Sequence, residues 1–169
     1  DELEVIFWLG DRLDPEAQLA LGGFLDRGGH LGLASASVHL SQESAAFLER
    51  RLHTGRVRPA RSSAVRSLDP DAPNTFEVRH ARLAPRPPAV ASILDVDHAP
   101  AALQVDTGTY RVSYFSFDLR ELDEPARRRL LAASGRFLQQ RQVQAARLAV
   151  SGQDLSQQPP VLSTDTDVA

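Results

Sequence analysis

A serine becomes a nucleophile when a general base stands within hydrogen-bond reach. Ser35-Ala36-Ser37 offers the two serines best placed for that role. They follow a short apolar run, His30 to Ala34, at the point where a strand would turn. Ser35 and Ser37 are therefore the candidate nucleophiles of an enzyme, with His98 or His39 as the base. The sharp turn that presents a nucleophilic serine favours flanking glycines, and Leu33-Ala34-Ser35-Ala36-Ser37 has none. The competing reading is that both serines bond nearby backbone.

Charged residues at two more places could hold a small polar ligand or a sugar. Asp11 and Arg12 follow the apolar run Leu3 to Leu9, and Asp118 and Arg120 follow Thr109 to Phe117. Open parallel sheets bind ligands beyond the carboxyl ends of their strands, so Asp11, Arg12, Ser35, Ser37, Asp118 and Arg120 would line one pocket. Turn residues of these types also act purely locally. Asp95-Val96-Asp97-His98 sets two carboxylates at alternate positions beside an imidazole, donors suited to a metal. It reads equally as an exposed loop before Pro100, and the sequence implies no metal and no other cofactor.

Arg50, Arg51, Arg56, Arg58, Arg61 and Arg66 form a basic stretch that could meet phosphates. No aromatic residue is interleaved for base stacking, and the net charge of the chain is −3, so a nucleic-acid partner is not expected. The stretch reads as a solvated helix face and loop, and Arg127, Arg128 and Arg129 as the outer face of a late helix. There is no cysteine, which removes disulfides, thiolate nucleophiles and zinc–thiolate sites. There is no lysine either, which removes a Schiff-base lysine and a phosphate-loop lysine.

These residues need elements to position them. At 169 residues with 42% hydrophobic content, the chain suffices for one domain with a real core. Leu3 to Leu9 reads as a strand buried on both faces, with Trp8 in the core. Asp14 caps a helix with Pro15 at its first position, and Gly28-Gly29 ends it. His30 to Ala34 is the next strand, completing a β–α–β unit with parallel pairing. Ser41 opens a second helix that stops near His53-Thr54-Gly55. From Arg56 to Pro88 repeated prolines predict loop with one or two short strands, the best being Phe76 to Val78. Leu103 to Val105 and Thr109 to Phe117 flank Asp106-Thr107-Gly108 as a β-hairpin, and Asp123 caps a last helix. The expected fold is α/β: three layers, with a mostly parallel sheet flanked by helices, an irregular Pro-rich insertion and a late hairpin. Residues 1–150 form the domain and 151–169 a polar linker or tail.

The segments Val5 to Asp11, Phe24 to Ser35 and Gly108 to Asp118 together resemble the class I glutamine-amidotransferase-like superfamily. The likeness is to domains embedded in larger bacterial proteins, secreted or of the envelope. It implies a flavodoxin-like α/β fold. In that family a cysteine occupies the turn where this chain has Ser35-Ala36-Ser37, and a histidine and glutamate follow the last core strand, where this chain has Phe115-Ser116-Phe117-Asp118. The resemblance thus implies the fold without the amidotransferase chemistry. The family's first strand and helix have no counterpart here, so the chain reads as part of a longer protein. The expected role is a non-catalytic structural or interaction domain. Its partners would be other domains of the parent protein, a separate protein, or a second copy through an exposed sheet edge. The two alternatives are a serine hydrolase and a small-ligand or carbohydrate-binding domain.

Overall fold

The computed structural model describes residues 4–10, 12–36, 42–55, 57–69 and 75–140. Asp1–Gln139 is one compact unit and Gln140–Ala169 a second. The expected boundary at residue 150 lies outside the described residues.

The β–α–β start forms from local signals. Strand β1 (Val5–Leu9) leads to helix α1 (Pro15–Asp26), whose first turn is capped by the Asp14 carboxylate accepting from Ala17 N–H at 2.7 Å. Gly28, at φ +88°, ends it in the left-handed conformation that glycine adopts without penalty. Strand β2 (His30–Ala34) then pairs parallel with β1. Helix α2 (Gln42–Arg51) follows, and its stop is at His53, as expected, with φ +49°. The Ser41 cap lies outside the described residues.

Residues 56–88 depart from expectation. They hold strand β3 (Arg58–Ser67), which was not expected, and strand β4 (Thr75–Arg82), which contains the expected short strand Phe76 to Val78 and extends it; the two are an antiparallel pair. The prolines sit where strands tolerate them. Pro59 lies at the start of β3, where the register shifts, and Pro85, Pro87 and Pro88 lie after β4. Strands β5 (Val90–Asp95) and β6 (Pro100–Asp106) form a second hairpin. Strand β7 (Arg111–Phe115) pairs antiparallel with β6 and parallel with β2, and the turn between β6 and β7 uses Gly108 at φ +81°. A single 3-10 turn (Leu119–Glu121) leads to helix α3 (Glu124–Gln139), where Asp123 accepts from Ala126 N–H at 2.7 Å.

The described strands make one seven-stranded sheet, in the order β1-β2-β7-β6-β5-β3-β4. Only the β1–β2 and β2–β7 pairings are parallel; the rest are antiparallel. The expected mostly parallel sheet is therefore corrected to a mixed one, because the 56–106 region supplies two hairpins instead of a βα crossover. Helices still cover both faces. Leu31, Leu33, Val112 and Tyr114 pack with Leu21, Phe24, Leu25, Phe47 and Leu48 of α1 and α2. Ala34 and Phe115 pack on the other face with Ala126, Leu130 and Ala133 of α3. Each fully buried leucine contributes about 1.5–3 kcal/mol.

The first strand is also corrected. It is an edge strand, with Ile6 38%, Phe7 39% and Leu9 52% exposed. Trp8 is half-buried against the α1–α2 core. A continuous apolar run does not distinguish a doubly covered strand from an apolar edge.

Candidate functional site

The parallel strands β1, β2 and β7 run the same way, so their carboxyl ends lie side by side at one end of the sheet. Ser35 follows β2 there. It is 2% exposed, and its N–H donates to Phe115 O at 3.1 Å. Asp118 and Arg120 follow β7 and close on each other. The Asp118 carboxylate accepts from Arg120 N–H at 2.8 Å and from Arg120 Nε at 2.9 Å. The bond from the Arg120 side chain is the main reason the Asp118 carboxyl lies below its ordinary range. This is the local turn arrangement. Arg12 is exposed in the connection from β1 to α1. Asp11, Ser37 and His39 lie outside the described residues.

His98 does not fit the role of base for Ser35. It closes the β5–β6 turn with φ +61°, its N–H donating to Asp95 O at 3.0 Å. Strands β7 and β6 stand between that turn and β2. At about 4.8 Å per strand, the separation is on the order of 10 Å or more, far beyond a hydrogen bond.

The chain just beyond β7 is bonded to β4. The end of β4 is laid across the ends of β6 and β7: Ala81 N–H donates to Ser116 O at 3.2 Å, and Leu83 N–H to Pro100 O at 2.8 Å. The buried Ser116 hydroxyl lies 2.7 Å from Ala81 O and 2.8 Å from Ala101 O, so one proton is shared between two strands.

The same end of the sheet carries a polar cluster that the sequence pattern did not reveal. His80 on β4 is fully buried. Its Nδ1 donates to Ala81 O at 3.1 Å, and its Nε2 lies 2.9 Å from Ser63 Oγ on β3 and 3.9 Å from Asp95 Oδ2. Buried Asp95 accepts from the N–H groups of Asp97 at 2.8 Å and Ala99 at 2.9 Å, and from Arg82 Nε at 2.8 Å. Burial pushes its carboxyl up, but the Ala99, Asp97 and Arg82 donors together bring it below the ordinary value. Asp97 pairs with Arg82 and Arg61, and those two bonds lower its carboxyl as well. The carboxylates of the Asp95–His98 stretch are thus ion-pair partners of β3 and β4. Among the described residues no group of three His, Cys, Asp or Glu side chains is arranged to hold a metal ion. The signal that could have found the cluster is parity: Arg61, Ser63 and Val65 on one strand and Val78, His80 and Arg82 on the next alternate in step.

Ser63 and His80 have the spacing of a nucleophile–base pair. The imidazole is sealed from solvent, however, and a base that must hand its proton to a leaving group needs an open face. The pair therefore reads as a bonded interior network. A groove of about 580 Å³ lies elsewhere, lined by α1 and α2 residues including Leu19, Gly22, Gly23 and Phe47. The basic stretch is partly neutralised: Arg51 forms a two-point ion pair with Asp26, with Nη2–Oδ2 2.8 Å, and Arg61 pairs with Asp97.

No protein-family model matches the chain, and no curated protein matches it by sequence. Solved structures do resemble it. The mmIFT52 N-terminal domain matches with TM-score 0.59 at 13% identity, over 82% of this chain and 78% of that one. A ThuA-like protein from Bacteroides uniformis ATCC 8492 matches with TM-score 0.55 at 12% identity, over 80% and 69%. A GMP synthase component from Thermoplasma acidophilum matches with TM-score 0.50 at 10% identity, over 88% and 75%. At these identities the likeness extends to the α/β fold alone.

Proposed function

We propose that this chain is a non-catalytic interaction domain of a larger bacterial protein, built on an amidotransferase-like version of the α/β fold. The observation that carries the reading is a contrast between two parts of the sheet. At the carboxyl end of β7, the end where such folds place ligands, Ser116 is bonded to the end of β4 and to β6. The edge strand β1 instead offers Ile6, Phe7 and Leu9 to solvent. Main-chain pairing with an exposed edge is a recurrent recognition mode. The fold likeness to the GMP synthase component from Thermoplasma acidophilum supports the amidotransferase-like part of the reading. Among the described residues, no helix is long and apolar enough to cross a membrane.

A serine-directed phosphonate probe tests the reading. The non-catalytic domain leaves Ser35, Ser37 and Ser63 unmodified after prolonged incubation, as read by intact-mass spectrometry. Stoichiometric labelling of any one of them would restore the hydrolase.

A further inference from the structure

The sheet has two edges, and they are treated differently. On β4 the exposed positions include charged Glu77 and Arg79, and the strand's end is tied to Ser116 and Pro100. Charges and bent ends are the usual protection against pairing with another chain. Strand β1 has neither. Val5 to Leu9 contains no charge and no proline, and its ladder with β2 runs without a register shift.

The orientation of its backbone is fixed by one bond. Glu4 O accepts from His30 N–H at 2.9 Å, so Glu4, Ile6 and Trp8 direct their peptide groups toward β2. Val5, Phe7 and Leu9 therefore direct theirs outward, away from the sheet. Glu4, which is exposed, precedes the strand, and Gly10 follows it.

We propose that β1 is the pairing edge for a second copy of this chain, joined antiparallel about a two-fold axis at Phe7. This deepens the interaction reading and rests on it. With that centre Phe7 faces its own counterpart, and Val5 faces Leu9 of the other copy. All of these are outward-directed positions, so each pair exchanges two main-chain hydrogen bonds. Val5, Phe7 and Leu9 of both copies then line one face, and Ile6 and Trp8 line the other. In this register Glu4 stands opposite Gly10 of the second copy, so the two Glu4 carboxylates are kept apart. Parallel pairing would instead set Glu4 against Glu4. The antiparallel arrangement therefore satisfies the backbone and the apolar residues and separates the two Glu4 carboxylates. A contact of five residues per strand is small beside a standard interface of about 800 Å² per partner, so the association is concentration-dependent.

Sedimentation velocity on the full chain over roughly 1 to 300 μM tests this, alongside Leu9→Lys and Leu9→Pro. Leu9 is half-exposed at the strand's end, and proline there removes only an outward N–H. The expected result is a mass rising from 18.5 kDa toward twice that value in the parent, with both variants monomeric at the highest concentration and their far-ultraviolet circular dichroism unchanged. A parent that stays monomeric throughout, or variants that dimerise like the parent, would overturn the proposal. A monomeric parent that also escapes phosphonate labelling removes self-pairing while the non-catalytic reading stands; labelling removes the latter on its own readout.

Discussion

Single buried polar groups join the two halves of the sheet. The Ser116 hydroxyl is the clearest, since its one proton serves carbonyls on both β4 and β6. Ser116→Ala removes that link, while Ala81 O keeps the His80 Nδ1–H and Ala101 O the Ser116 N–H, and costs about 0.5–1.5 kcal/mol, read as a lower denaturant midpoint. His30 gives the molecule a pH dependence. Burial is the largest reason its imidazole sits below the ordinary value, and Arg111 adds to it, while Asp106 opposes both. Its Nδ1 accepts from Arg111 N–H at 3.0 Å, a bond that only the neutral ring can make. A histidine lowered in the folded state contributes stability that is complete above the unfolded value of about 6.5 and is lost as pH falls below it. Urea midpoints measured from about pH 7.5 to 5 should therefore decline, and His30→Asn should flatten that slope because its amide oxygen still accepts without titrating. An equal slope in both proteins would contradict this.

At the scale of elements, β1 is held to the sheet by a close fit. A Cβ on Gly32 would come within 2.3 Å of the Phe7 ring, so the glycine lets that ring lie over β2. Gly32→Ala pushes the ring off and costs about 1–3 kcal/mol, followed through the emission of Trp8 on the same strand; an unchanged transition would mean that the ring is not seated there. How far the elements were legible depended on where their signals lay. Asp14-Pro15, Gly28-Gly29, Asp106-Thr107-Gly108 and Asp123 are local capping and turn chemistry, and each marks the boundary expected of it. Strand β3 was not legible, and of β4 only Phe76 to Val78 was. Their inward positions include Ser63 and His80, whose polarity is satisfied by each other, and the alternation of apolar residues that marks a strand is lost. The same distance in sequence hid the role of Asp95. Its partners Arg61 and Arg82 stand on the two strands that the prolines disguised. The bonding around Ser116 was hidden for a related reason, because the β4 end that it meets belongs to the region read mainly as loop.

Among the described strands, the bonded end of β4 contrasts with the open edge of β1, and the proposed partner contact falls on that edge. Because outward and inward peptide groups alternate along β1, one measurement reads the edge residue by residue. It is amide hydrogen exchange by nuclear magnetic resonance, on the full chain at dilute and at high concentration. At dilution, Ile6 and Trp8 should exchange slowly because they bond β2, and Val5, Phe7 and Leu9 rapidly because they face solvent. At high concentration the three fast amides should become protected while those of β4 stay as they were. Fast exchange of Val5, Phe7 and Leu9 at every concentration, or protection of all five already at dilution, would contradict the assignment of β1 as the pairing edge.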